Sequence, residues 1–251
     1  MGYPVDNKID KETQLYVYIG PNAIEEKRET LFNRYFEQHN INAKLMPLNI
    51  REDDLGFFIH NFKNSKIKAA YFAQEYWEKV ASLLQSIGVV SSDISLIDTL
   101  QIEQNNYTAD FLFPLAVKES IVQKNPIHDK TVAVIGTSPL ALSVIETLKL
   151  EKPKIFALYD QTIEHLLPLE ESAKPIPCDI NRLDTNDISR DYDIIINCIE
   201  KPVNISSQTD TCFVNLHNRS NAVPNALCHI EYNTIFDTIT QIITKEWITN
   251  G

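Results

Sequence analysis

Apolar residues recur along this chain in two alternating rhythms. Short continuous apolar runs bounded by Gly, Pro or Asn read as buried strands, and apolar residues three and four apart read as amphipathic helices. Leu15 to Ile19 predicts a strand ending at Gly20-Pro21, and Ala23 to His39 predicts a helix with Leu31, Tyr35 and Phe36 on one face. Ala43 to Leu48 predicts a second strand, followed by a helix over Glu52 to Phe62 that buries Leu55, Phe58, Ile59 and Phe62. Ile67 to Ala73 predicts a third strand, and Gln74 to Ser86 a helix that turns Trp77, Val80, Ala81 and Leu84 inward. Ile94 to Ile102 reads as a strand and Asn105-Asn106 as the turn after it. Asp110 to Gln123 reads as a helix with Pro114 in its first turn, where proline is tolerated.

Asn125-Pro126 breaks the chain, and the alternation resumes. Strands are predicted at Val132 to Ile135, Ile155 to Tyr159, Asp193 to Cys198 and Cys212 to Leu216. Helices are predicted after Ser138 and over Ile163 to Glu171, with a terminal helix lined by Ile235, Ile239, Ile242 and Trp247. Such alternation implies a mainly parallel sheet covered by helices in each half, hence two α/β domains. A cleft between two such domains is the default place for a small-molecule ligand.

The segment Thr131 to Leu150, TVAVIGTSPLALSVIETLKL, is the most informative stretch. Strand, tight turn and amphipathic helix follow one another there as at the start of a dinucleotide-binding unit. Gly136 supplies the first glycine of that turn, Ser138 stands at the second and Ala141 at the third, where alanine is tolerated. Ser138-Pro139 is also a helix start, a capping hydroxyl followed by proline at the first helical position. The cap competes for N–H groups that otherwise bind phosphate. Gly136, Thr137 and Ser138 are therefore candidate cofactor contacts on a turn that signals fold more strongly than cofactor. Asp160 ends the next strand 24 residues after Gly136. A carboxylate at that distance suits a ribose 2′-hydroxyl and repels a 2′-phosphate, so NAD is favoured over NADP if any dinucleotide binds.

The chain has 251 residues, 43% of them hydrophobic and 23% charged, which suits an ordinary globular protein of one large or two modest domains. A net charge of -11 argues against nucleic acid as a partner. The polar start MGYPVDNKIDKET carries no export pattern, and no apolar run approaches a membrane span, so a cytoplasmic protein with no membrane partner is expected. Cys178, Cys198, Cys212 and Cys228 form no C-x-x-C pair and read as reduced structural thiols, with no metal site.

Several local strings resemble the shikimate dehydrogenase family across nearly the whole chain. Tyr16 to Gly20 is similar to its opening strand and glycine, and LMPLNIREDDLGFFIHNF (Leu45 to Phe62) to its second strand and helix. IDTL (Ile97 to Leu100) resembles its V-N-T-L/I, YTADFLF (Tyr107 to Phe113) its N-T-D-G-x-G-F, and DIIINCIEKP (Asp193 to Pro202) its D-L-V-I-N-A-T-P. The resemblance implies a substrate-binding domain over residues 1–109 and a Rossmann-like domain over 110–232 that binds NAD(P). It also implies that the terminal helix, residues 233–249, packs back on the first domain.

The functional positions implied by the resemblance depart from the family pattern. The serine pair that holds the substrate carboxylate falls on Glu26 and Arg28, of which Arg28 attracts a carboxylate and Glu26 repels one. The catalytic lysine falls near Trp77, and Lys79 lies two residues on, about 200° round a helix. The substrate-binding asparagine falls on Asp98 and the catalytic aspartate on Ala109, with Asp110 adjacent, while Asn33 and Thr108 match. The arginine that contacts the 2′-phosphate is absent from Asp160-Gln161-Thr162. Oxidation of a secondary alcohol needs a proton acceptor of suitable pKa, which tryptophan and alanine cannot supply. Arg28, Trp77, Asp98 and Thr108 are the substrate-side candidates, and Asp110 and Lys79 the replacement acid–base candidates, with Glu75 and Tyr76 nearby.

The expectation is a shikimate dehydrogenase-like protein that is non-catalytic or functionally redirected and holds a small ligand in the interdomain cleft. The alternative is a divergent NAD(P)-dependent oxidoreductase for shikimate, quinate or a related hydroxy acid. A third reading is an enzyme with an unrelated substrate on the same scaffold. A homodimer is compatible with each.

Overall fold

The computed structural model describes residues 9–104, 106–183, 187–188, 191–200, 204–205, 211–217 and 228–250. Asn105, part of the expected turn, lies outside them. The chain divides into two compact units, one from the residues up to Leu112 together with those from Thr240, the other from Phe113–Ile239.

The first unit contains β1 (Gln14–Gly20), α1 (Ala23–Glu26), α2 (Glu29–Gln38), β2 (Ala43–Asn49), α3 (Leu55–Asn61), β3 (Ile67–Phe72), α4 (Trp77–Ser86), β4 (Thr99–Glu103) and β5 (Asn106–Asp110). Their sheet runs β2-β1-β3-β4-β5. The first three strands are parallel, and an antiparallel hairpin, β4–β5, extends this parallel-rich sheet beyond β3. The expected strand over Ile94 to Ile102 begins only at Thr99, and the expected helix from Asp110 begins only at Phe113. Asn106–Asp110 instead closes a hairpin on β4, a polar pentapeptide whose strand state comes from the ladder and not from its own pattern.

The single helix expected over Ala23 to His39 is two, broken where Lys27 takes a left-handed φ of 55°. The buried residues of α2 are Phe32 and Phe36, whereas Leu31 and Tyr35 are half-buried. Phe58 is likewise half-buried, while Leu55, Ile59 and Phe62 are buried as expected. Trp77, Val80, Ala81 and Leu84 of α4 all face the core. Aromatic side chains dominate that core. Tyr16 stacks on Trp247 at 4.6 Å and on Phe36 at 5.6 Å, and Tyr18 lies 5.7 Å from Tyr71. Gly20 permits the close approach of β1 to the end of β3, since a Cβ there would meet Ala73 Cβ at 2.9 Å.

Strand β2 forms one edge of the sheet. Asn33 of α2 covers part of that edge. Its side chain accepts the Leu45 N–H at 2.8 Å and donates to the Leu45 carbonyl at 3.0 Å. Two residues on, Pro47 has no N–H to offer.

The second unit contains α5 (Phe113–Val122), β6 (Thr131–Ile135), α6 (Pro139–Leu148), β7 (Ile155–Asp160), α7 (Leu167–Ala173), β8 (Cys178–Arg182), β9 (Asp187–Ile188), β10 (Ile194–Asn197), β11 (Asn204–Ile205), β12 (Cys212–Asn215), β13 (Cys228–Ile230) and the start of α8 (Tyr232–Asn250). Six strands form one parallel sheet in the order β13-β12-β10-β6-β7-β8, and β9 pairs with β11. Read outward from β6, the order reverses between β6 and β10, which is the doubly wound arrangement with its crevice at the strands' carboxyl ends. Asp193 ties β6 to β10 by accepting the Thr131 N–H and Oγ1–H, both at 2.8 Å. The edge strands β8 and β13 were not expected, and α7 starts at Leu167 after a 3-10 turn over Ile163–Leu166. In α8 the fourfold spacing of Ile235, Ile239, Ile243 and Trp247 is buried, with Ile243 rather than Ile242 facing in. No helix among the described residues is long and apolar enough to cross a membrane.

Candidate functional site: the cleft of the second unit and the substrate-side residues

The turn after β6 is built as its residue types require. Gly136 has φ of +100°, and its N–H donates to the Tyr159 carbonyl at 2.8 Å. A β-carbon there would come within 2.6 Å of Ile199 Cγ2. Both the backbone angle and the packing therefore demand glycine. Ser138 is the N-cap of α6, with Oγ accepting the Ala141 N–H at 3.3 Å and Pro139 at the first helical position.

Around this turn lies a cleft of about 380 Å³ at the carboxyl ends of β6, β7, β10 and β12. Its walls include Gly136, Tyr159, Asp160, Ile199, Glu200 and His217. Asp160 ends β7 and is held in place. Its carboxylate accepts Thr137 Oγ1–H at 3.3 Å and the Thr162 N–H at 3.0 Å, with His165 Nδ1 3.6 Å away. The structure thus brings Gly136, Thr137, Ser138 and Asp160 to one place. Cys198 follows β10 and is fully buried, and burial pushes its thiol pKa far up.

The residues suit one end of a dinucleotide better than the other. A fixed carboxylate at a strand end fits a ribose diol. The pyrophosphate end is poorer, because Pro139 has no N–H and the Ala141 N–H already binds Ser138. Of the first three helical positions only Leu140 keeps an N–H not engaged by the cap. Ile199 also fills the space over Gly136.

The substrate-side candidates of the first unit are engaged within the protein. Arg28 Nε lies 3.7 Å from Glu26, and the same Glu26 oxygen accepts the Tyr18 hydroxyl at 2.6 Å. Glu26 therefore provides Arg28 with an internal carboxylate. Trp77 is buried, its indole N–H donates to the Phe72 carbonyl at 2.8 Å, and its ring meets Phe111 edge-on at 5.1 Å. Asp98 is buried, and both its oxygens accept the Leu112 N–H, at 2.9 and 3.1 Å. Thr108 is half-buried on β5 opposite Gln101.

Of the acid–base candidates, Lys79 lies at the surface 3.9 Å from Glu52. Asp110 is half-buried at the end of β5, and burial, then the Glu103 charge, raises its pKa. Glu246 of α8 is raised by burial and by the charges of Asp110 and Glu103. Burial also pushes Tyr76 upward, with Glu52 and Glu75 adding to the shift. Among the described residues no cluster of three His, Cys, Asp or Glu is placed to hold a metal ion.

No family model matches this sequence. The curated shikimate dehydrogenase (NADP(+)) of Clostridium botulinum strain Loch Maree is 23% identical over 210 residues, 78% of this chain and 78% of its own. A shikimate dehydrogenase solved in complex with NADP+ superposes with a TM-score of 0.74 at 15% identity, covering 98% of this chain and 94% of its own. The chain is similar to curated shikimate dehydrogenases at low identity and shares the fold of solved ones. Another solved relative, the Listeria monocytogenes shikimate 5-dehydrogenase in complex with shikimate and NAD, has a TM-score of 0.72 at 8% identity over 98% of this chain and 95% of its own. The likeness to these solved members of the shikimate dehydrogenase family is one of fold.

Sequence reasoning missed Ile199, Glu200 and His217 as cleft residues. Each follows closely on the carboxyl end of a strand, β10 or β12, where ligands of doubly wound sheets bind. Reading the residues just beyond every apolar run, and not only beyond the first, would have found them. Glu246 gave no such signal, because its partners Asp110 and Glu103 are distant in sequence.

Proposed function

We propose that this protein is a shikimate dehydrogenase relative redirected away from shikimate oxidation, with a cleft that takes an NAD-type dinucleotide or a part of one. The observation that carries the redirection is the internal use of the positions matched to the family's substrate-side residues. Glu26 pairs with Arg28, Trp77 is buried against Phe72 and Phe111, and Asp98 holds the Leu112 N–H. A carboxylate substrate would have to displace Glu26 from Arg28.

The cofactor reading rests on Asp160 within the cleft. The two solved structures named above hold NADP+ and NAD, respectively. A nicotinamide dinucleotide would supply hydride-transfer chemistry. This chain's part is to bind it, with Asp160 accepting ribose hydroxyl protons and Leu140 offering one helix-end N–H. Repulsion by Asp160 disfavours a 2′-phosphate, so NAD is favoured over NADP. The test is calorimetry with NAD, NADP and shikimate, alongside absorbance assays with shikimate and quinate. Heat with NAD, abolished preference over NADP in Asp160→Asn, and no nicotinamide reduction are expected. Turnover of shikimate by the purified protein would overturn the proposal.

A second reading is a divergent NAD(P)-dependent oxidoreductase, favoured by the raised pKa of half-buried Asp110. A proton acceptor must titrate near the working pH, and burial moves a carboxylate that way. Turnover of a hydroxy acid whose pH profile loses its acidic limb in Asp110→Asn would establish it.

A further inference from the structure

Cys212 opens β12 and Cys228 opens β13, and the two are direct partners in the parallel ladder. Their sulfurs lie 3.2 Å apart. Adjacent strands are about 4.8 Å apart, inside the Cα separation of roughly 4.4–6.8 Å that a disulfide tolerates. The neighbouring pair Phe213 and His229 meets on the opposite face, ring centroids 5.6 Å apart, consistent with both thiols sharing one face. Cys212 is buried, whereas Cys228 is half-buried. Cys198 is buried just after β10, and Cys178 lies on β8 at the opposite edge of the sheet.

We propose that Cys212 and Cys228 are a redox-active pair that forms a reversible disulfide by exchange with a low-molecular-weight disulfide such as oxidised glutathione. The Cys228 thiolate, on the more accessible side, attacks one sulfur of the oxidant. A mixed disulfide forms and one glutathione thiolate leaves, taking up a proton. Cys212 then attacks Cys228 Sγ, loses its proton to solvent, and releases the second glutathione. Two protein thiols are oxidised, and one small disulfide is reduced to two thiols. The bond fastens edge strand β13 to β12, whose carboxyl end leads to His217 in the cleft. Burial, followed by contact with Cys228, pushes the Cys212 pKa up to about 12, with Lys124 opposing, which suits Cys212 to the resolving step rather than the first attack.

The test uses the full chain, equilibrated natively in glutathione buffers of graded ratio, acid-quenched, alkylated and read by peptide mass spectrometry. The expected result is loss of two hydrogens in a single bridged 212–228 pair, reversed by reductant, with Cys178 and Cys198 alkylated throughout. In Cys212→Ser the expected product is a glutathione adduct trapped on Cys228. Free thiols at both positions in oxidising buffer, or a stable glutathione adduct on Cys228 in the unaltered protein, would overturn the proposal. If Cys212→Ser fails to fold, Cys212→Ala serves the same purpose, and the reading of the unaltered chain decides without either.

Discussion

Replacing Gly136 by alanine tests the geometry of the cleft without assuming any ligand. At φ of +100° an L side chain meets backbone strain, costing about 1–2 kcal/mol by analogy with other left-handed positions. The new methyl would also stand 2.6 Å from Ile199 Cγ2, and forcing an added methyl into such a contact costs about 1–3 kcal/mol. Together the second unit should lose about 2–5 kcal/mol. Both tryptophans, Trp77 and Trp247, belong to the first unit. Urea unfolding followed by far-ultraviolet dichroism and by tryptophan fluorescence therefore reads the two units differently. The dichroism should gain an early transition that the fluorescence lacks. Ile199→Ala removes Cγ2, so the double variant should be less destabilised than the sum of the singles by about 1–3 kcal/mol, the steric share alone. A Gly136→Ala protein within about 0.5 kcal/mol of the original would refute both arguments. Complete recovery in the double variant would refute the backbone argument alone.

Ser138→Gly frees the Ala141 N–H at a cost of a few tenths of a kcal/mol, whereas Ser138→Ala costs about 1 kcal/mol. NAD should bind more tightly to the glycine variant by calorimetry, with little change in its melting temperature. Asn33→Ala strips both hydrogen bonds from Leu45 and should cost the first unit about 1–3 kcal/mol, read by tryptophan fluorescence in urea. Asp110 and Glu246 bind protons more tightly when folded than unfolded. Their contribution is therefore greatest below the unfolded carboxylate pKa of about 4 and is lost as pH rises through the raised folded values. A urea midpoint series from acid to neutral pH should show this decline, and Asp110→Asn with Glu246→Gln should flatten it.

The parallel core of both units was legible because its strands are nearly unbroken apolar runs such as Val132 to Ile135 and its helices carry clean spacing such as Trp77, Val80, Ala81 and Leu84. The hairpin of β4 and β5 was not, since NYTAD has no strand pattern of its own and is held by its ladder. The break at Lys27 was hidden because a lysine carries no turn signal. At the cleft, Gly136, Ser138 and Asp160 were readable because each obeys a local rule of turn, cap or strand end. Ile199 and His217 arrive there through the sheet order, which a linear reading does not reveal. The pairing of Arg28 with Glu26 was legible only as an awkward combination of charges. In three dimensions that combination is self-neutralising.

The arrangement at β2 bears on how copies of this chain can meet. An open strand edge recruits other strands by offering a regular row of amide hydrogens and carbonyls. Here Asn33 answers both groups of Leu45 as a neighbouring strand would, and Pro47 leaves a gap in the row two residues later. Part of the edge is already occupied by its own helix. A loss of Asn33 would open the amide and carbonyl of Leu45 on this margin to another strand.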